Sequence, residues 1–219
     1  MSRTATELLE STTARLAPDP RANPFVPLIA RGAAAREILA ALALEQQWVI
    51  PADRRAFAHL AQRSGNSAAA GFFEMLAEGE TLAGQRLASF ATACGVDEER
   101  ARAYDPLAGC QAYPAYISWL ALNAAPANAV LAITANFSAW GGYCATISVA
   151  LRTHYGFEAD DCAFFDFFAE PSSELERKAA AAVQEGLDAG SVNEDLAQRY
   201  GRLLQHYELL FWTTLHSVQ

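Results

Sequence analysis

From Asn128 to Leu151 the chain carries no charged side chain, and its apolar residues fall on every face of a helical wheel rather than along one stripe. A helix that is apolar all round is buried on all sides. The segment Pro126 to Tyr155 is therefore expected to be a central helix about which the others pack. Its length would also suffice to cross a bilayer, but its richness in Ala, Gly, Ser and Thr, together with Asn136 and the Gly141-Gly142 pair, favours a core helix. Within it Asn136, Ser138, Trp140 and Tyr143 carry hydrogen-bonding atoms that need partners or a cavity to line. A ligand site is expected there.

The rest of the chain also reads as helix. Leu8, Leu9 and Leu16 are spaced for a helix over Thr4 to Leu16, ended by Pro18 and Pro20, and Asn23-Pro24-Phe25 makes a tight entry to the next segment. Ala33 to Ile50 is amphipathic and is expected to stop at Pro51, which then opens a separate helix to about Arg63. Ala68 to Cys94 is long and amphipathic. Gly95 suits a C-cap, and Asp97 an N-cap for a short helix ending at Tyr104. After a loop over Asp105 to Gln111, further helices are expected over Tyr113 to Asn123, Asp160 to Ala169, from Pro171 to Asp188, and Glu194 to His216. Nowhere do β-branched residues alternate with polar ones over a strand length. The fold class is thus all-α, a single domain spanning residues 1–219.

Composition narrows the partners. Apolar residues make up 52% and charged residues 19% of the 219, enough for a large core. A net charge of -9 without a basic cluster repels phosphate backbones, so no nucleic-acid partner is expected. Cys94, Cys110, Cys144 and Cys162 are widely spaced, and the N-terminus, which contains acidic residues and has no apolar h-region, does not read as a signal peptide; a reducing cytoplasm fits both.

A helical chain of this length that opens with NPFVPLIARG and closes with HYELLFW resembles the TenA/PqqC (TENA/THI-4) superfamily. The resemblance covers nearly the whole chain. It implies a haem-oxygenase-like bundle, a homodimer or homotetramer, and a pocket for a small heteroaromatic metabolite. Known TenA proteins hydrolyse thiamin or salvage its aminopyrimidine fragment; relatives include a cofactor-forming oxidase and iron-dependent oxidases. The family's Glu-x-x-Phe-Trp matches Glu208, Leu209, Leu210, Phe211 and Trp212, which gives Glu208 the role of acid and base. The nucleophilic Cys aligns with Ser138, and the Asp that grips the pyrimidine aligns with Gln46, or with Glu45 if the register slips by one. A serine needs an adjacent base to attack, and Gln46 offers no charge, so the resemblance does not carry the thiol chemistry across. The iron oxidases' His-x-x-x-Asp-x-x-His falls on Phe168, Ser172 and Leu175, which predicts no metal and no cofactor.

Each candidate has a plain structural alternative. Glu208 suits either a general acid and base or a buried network fixing the last helix. Ser138 suits a pocket wall better than a nucleophile, because no His is placed to activate it. Phe168 and Phe211 suit stacking on a ring or plain core, and Trp48 and Tyr143 carry the same ambiguity. Glu78 and Glu80 read as a solvated face. The pocket is expected between the helices at 33–50, 113–124, 126–155, 160–169 and 194–216, with Gln46 and Tyr143 orienting the ligand. Two functions are open to such a chain: a TenA-like metal-free hydrolase acting on a small bound molecule, or a non-catalytic binding protein.

Overall fold

The computed structural model describes residues 3–19 and 21–218; Met1, Ser2, Pro20 and Gln219, which the expected domain span and proline stop include, lie outside them. Among the described residues the chain is helical with no strand: α1 (Ala5–Leu16), α2 (Val26–Ala30), α3 (Arg36–Arg63), α4 (Ala68–Ala93), α5 (Glu98–Ala103), α6 (Ala108–Asn123), α7 (Pro126–Ala150), α8 (Ala159–Ala169), α9 (Ser173–Asp188) and α10 (Glu194–Ser217). None of these is long and apolar enough to cross a membrane.

Local chemistry sets most boundaries. Thr4 and Glu7 form a reciprocal capping box at α1, and the side chains of Asp97, Ser172 and Asn193 cap α5, α9 and α10. A single π-turn, Leu151–Tyr155, follows α7 and ends where Gly156 takes φ 72°, a left-handed conformation that only glycine adopts freely.

Two boundaries differ most from those expected, and in both tertiary packing decides. Pro51 does not divide the helix: α3 runs through it, because Val49 and Ile50 before it and Asp53, Ala56 and Phe57 after it continue one buried face. One lost backbone hydrogen bond is outweighed by packing against α4. The helix expected from Tyr113 begins earlier, at Ala108. Its start is held from α3 by Glu45, which accepts from the Leu107 N–H at 2.7 Å, the Gln111 amide at 2.6 Å and the Tyr104 hydroxyl at 2.5 Å. That remote carboxylate supplies the charge that a helix N-terminus favours.

Helix α7 is central, but it is buried all round only in its first half. Residues 127–133, Ala135 and Asn136 are buried, whereas Ser138, Gly142, Ala145, Thr146 and Val149 are exposed. The second half lacks charge for a different reason. It forms one wall of a groove, and at Gly141 the backbone of α8 comes so close that a Cβ would lie 2.9 Å from the Phe168 carbonyl oxygen. Two hydrophobic cores result. One gathers the first half of α3, the second half of α7, α8 and the end of α10; the other gathers α1, α6, α9 and the first halves of α4 and α7. Phe25, Phe90, Phe164, Phe165 and Trp212 dominate the first, and Phe57, Phe72 and Phe73 the second. A cavity opens where the two cores meet.

Candidate functional site

An inner chamber of about 40 Å³ lies between α3, α4, α6, α7, α8 and α10. Helix α3 contributes Gln46, Val49 and Asp53, which share one face because they are three and four residues apart. Helix α4 contributes Glu80, α6 contributes Tyr113, α7 contributes Asn136, Phe137 and Trp140, α8 contributes Phe168, and α10 contributes Glu208 and Phe211. An outer groove of about 610 Å³ adjoins it, sharing Glu80, Phe137 and Phe168 as a common rim.

Glu208 is buried and is held by two neutral donors. The Asn136 amide donates to it at 2.6 Å, and the Trp212 indole N–H at a long 3.4 Å. Asn136 is itself positioned by the Tyr113 hydroxyl, which donates to its carbonyl oxygen at 2.8 Å. Burial raises the Glu208 carboxyl to about 7, and the hydrogen bonds from Trp212 and Asn136 pull against that rise. The hydrogen-bonded run Tyr113, Asn136, Glu208 and Trp212 crosses three helices, so a shift of any one of them is felt at the carboxyl.

Asp53 and Glu80 form a second acidic element. Their side chains are buried, at 3% and 6% exposure; Asp53 Oδ1 is fully buried without a partner, and neither residue makes an ion pair or hydrogen bond among the described residues. Burial pushes both carboxyls well above their ordinary range, and the Asp53 charge pushes Glu80 further. A carboxyl raised in this way favours the folded state while protonated and loses that advantage as pH climbs from the ordinary carboxylate range through the raised value. Asp53→Asn and Glu80→Gln are therefore expected to stabilise the fold at pH 8 by about 1–3 kcal/mol each. The gain should shrink toward pH 5. Thermal melts at the two pH values test this, and a uniform loss of stability at both would contradict it.

The expected site residues divide. Glu208, Gln46, Phe168 and Phe211 are brought together around the chamber. Trp48 is not: it is 50% exposed, because it lies two residues from Gln46 and so on the far side of α3. Tyr143 stands outside the chamber, packing edge-on against Trp212 at 5.7 Å. Ser138 faces the outer groove, and the α7 residue that touches Glu208 is Asn136. Asp53 and Glu80 are functional candidates that sequence reasoning misses, and Glu80 lies in the chamber wall rather than on a solvated face with Glu78. A signal for Glu80 exists: Phe73, Leu76, Glu80, Ala83 and Leu87 form one helical stripe, all buried. Of the expected alternatives for the pyrimidine-gripping position, Gln46 faces the chamber while Glu45 is spent on anchoring α6. Helix α4, absent from the expected pocket walls, supplies one of them.

This arrangement of helices is matched elsewhere. The sequence profile of the TENA/THI-4/PQQC family matches residues 22–217. The chain belongs to that family. A TenA homologue from P. horikoshii OT3 superposes with a TM-score of 0.72 at 16% identity, covering 99% of this chain and 100% of that one. A TenA homologue from Pseudomonas syringae pv. tomato DC3000 gives 0.71 at 12% identity, over 97% and 91% of the two chains. A domain of unknown function with a haem-oxygenase-like fold from Shewanella denitrificans OS217 gives 0.67 at 16%, over 96% and 88%. At these identities the likeness establishes the haem-oxygenase-like fold. No curated protein matches the chain.

Proposed function

We propose that this TenA-family protein binds a small heteroaromatic amine where chamber and groove meet, and that Glu208 serves as acid and base in hydrolysing one of its C–N bonds. The observation that carries the proposal is Glu208 itself, a buried carboxyl in a cavity wall that titrates at about 7 and so both takes and returns a proton near neutral pH. Its described partners are two neutral side chains, with no main-chain or arginine contact to lock it as a structural carboxylate. No thiol lines the chamber among the described residues, so water is the attacking group. Glu208 takes its proton as the C–O bond forms at the carbon that bears the amine, and returns that proton to the amine as the C–N bond breaks. The ring lies at the rim between the faces of Phe137 and Phe168, with its edge toward Gln46 and Phe211 in the chamber wall.

The competing proposal, a binding protein without turnover, is favoured by one observation: Ser138, the position aligned with the family nucleophile, lies outside the chamber. Calorimetric titration with the aminomethyl-pyrimidine fragment of thiamin, paired with an assay for released ammonia, separates the two. Micromolar binding that weakens in Glu208→Gln, with ammonia released by the unmutated protein only, is the expected result. Binding without ammonia would leave the non-catalytic alternative, and no heat at millimolar ligand would remove the pyrimidine from consideration. By the same family analogy we place the protein in the cytoplasm as a homodimer or homotetramer. Exposed Trp119, Leu122 and Leu203 on α6 and α10 offer an apolar face for that assembly.

A further inference from the structure

We propose that Asp53 and Glu80 form an ammonium-binding subsite, distinct from Glu208, which makes the protein selective for organic cations with an extended body: arylalkyl amines or polyamines that insert a charged head into the chamber and lay the rest along the groove. The proposal rests on the functional reading above only in using the same cavity.

Three observations converge on it. The first is an imbalance of charge. Asp53, Glu80 and Glu208 line the chamber and Glu78, Glu170 and Glu176 join Glu80 along the groove, while no Lys, Arg or His lines either space among the described residues. Buried carboxylates are ordinarily paired, and an unpaired one is strongly disfavoured.

The second is an imbalance of hydrogen bonding. Asp53 Oδ1 is fully buried without a partner, and Glu80 makes no hydrogen bond among the described residues. The lining donors are few: the Tyr113 hydroxyl is committed to Asn136, and the Asn136 amide to Glu208 and Gln205, which leaves the Gln46 amide and the Trp140 indole. A cavity rich in acceptors and poor in donors is completed by a ligand that brings donors only, and an ammonium brings three with no acceptor.

The third is size. One water occupies about 10–15 Å³ by the same measure of volume. The chamber of about 40 Å³ thus admits a head group with a methylene or two but not a ring, whereas the groove of about 610 Å³ takes a much larger body. The shared rim of Phe137 and Phe168 lies where the cation passes, and aromatic faces attract cations. An anionic or phosphorylated ligand meets only repulsion along the same path.

Cation binding should displace protons. The groups facing the Asp53 and Glu80 pair are each other, Tyr113 on α6 and Glu208 on α10; α7 and α8 present Asn136, Phe137, Trp140 and Phe168, none of which titrates in this range. Because burial shifts both carboxyls toward the protonated form, an entering ammonium stabilises the charged carboxylates and releases protons. Affinity for amines should therefore rise with pH above the ordinary carboxylate range.

Calorimetric titrations with benzylamine, spermidine, benzyl alcohol and benzoate, on the unmutated protein, Asp53→Asn and Glu80→Gln, test this. The expected result is that one or both amines bind, the alcohol binds at least tenfold more weakly, and benzoate does not bind. Each substitution should weaken amine binding at least tenfold, and the heat should vary with the ionisation enthalpy of the buffer, reporting proton release. Both variants keep side-chain shape and relieve a buried charge, so melting curves will show whether they are folded. Equal affinity for amine and alcohol, amine binding indifferent to both substitutions, or no amine binding at all would overturn the proposal. Adding the aminomethyl-pyrimidine and its hydroxymethyl counterpart separates the two proposals. If neither pyrimidine binds while benzylamine binds in a Glu80-dependent way, only the pyrimidine assignment fails; if both bind equally, only the ammonium subsite does.

Discussion

Trp212→Ala is expected to lower the unfolding free energy by about 3–5 kcal/mol, the range for truncating a fully buried large aromatic. Trp212 is 1% exposed, and its indole meets four other rings: Phe25 at 6.1 Å, Trp140 stacked at 5.6 Å, Tyr143 at 5.7 Å and Phe211 at 5.2 Å between centroids. These rings come from the segment before α2 and from α7 and α10, so the cavity left behind cannot close by shifting one side chain. For a domain of this size the melting temperature should fall by roughly 10 °C. Equilibrium denaturation is the measurement, and a loss below about 1 kcal/mol would mean the aromatic cluster relaxes into the gap. Trp212→Phe separates packing from chemistry. It keeps most of the ring contacts but removes the N–H that favours the charged form of Glu208, so it should raise the Glu208 carboxyl further while costing far less stability.

Features that depend on neighbours along the chain are legible in the sequence. Helix α10 can be read because Leu204, Glu208, Phe211 and Leu215 repeat at helical spacing on one buried face, and Glu208 stands out because it falls in that repeat. Helix α7 is recognisable as central from its lack of charge. The same absence misleads in its second half, since an uncharged groove wall and a buried helix leave the same pattern. Features that depend on distant partners are not legible. Nothing near Ala108 announces a helix start, because Glu45 provides its anchor from another helix. Pro51 is a local stop signal overridden by the burial of both its flanks. Asp53 and Glu80 sit 27 positions apart and become a pair only when α3 and α4 pack. The placement of Asn136 rather than Ser138 opposite Glu208 is a matter of about 200° of helix rotation, two residues, which an alignment at low identity does not resolve.

Glu208→Gln is expected to abolish the proposed hydrolysis, by about 10²–10⁴ in kcat, the contribution typical of a positioned acid or base. The same change should make the protein more stable at neutral and higher pH. The Glu208 carboxyl is raised by burial to about 7 from an ordinary 4.5, so the folded state binds this proton more tightly than the unfolded chain does. Stability falls as pH rises between those two values, and above them the buried charge opposes folding by up to about 3 kcal/mol. Gln carries no charge at any pH and escapes that loss. Activity in the unmutated protein should run the other way, rising with pH through about 7 as Glu208 becomes the base that the attack on carbon requires. Trp212→Phe, which removes a donor to the carboxylate, should move that rising limb to higher pH. Rates and melting curves measured together across about pH 5 to 9 therefore distinguish a catalytic carboxyl from a structural one. A catalytic Glu208 gives a Gln variant that is folded, more stable above pH 7 and inactive. A carboxyl whose hydrogen bonds to Asn136 and Trp212 serve to fix α10 gives a Gln variant that is less stable at every pH, and in that case the lost rate says nothing about proton transfer.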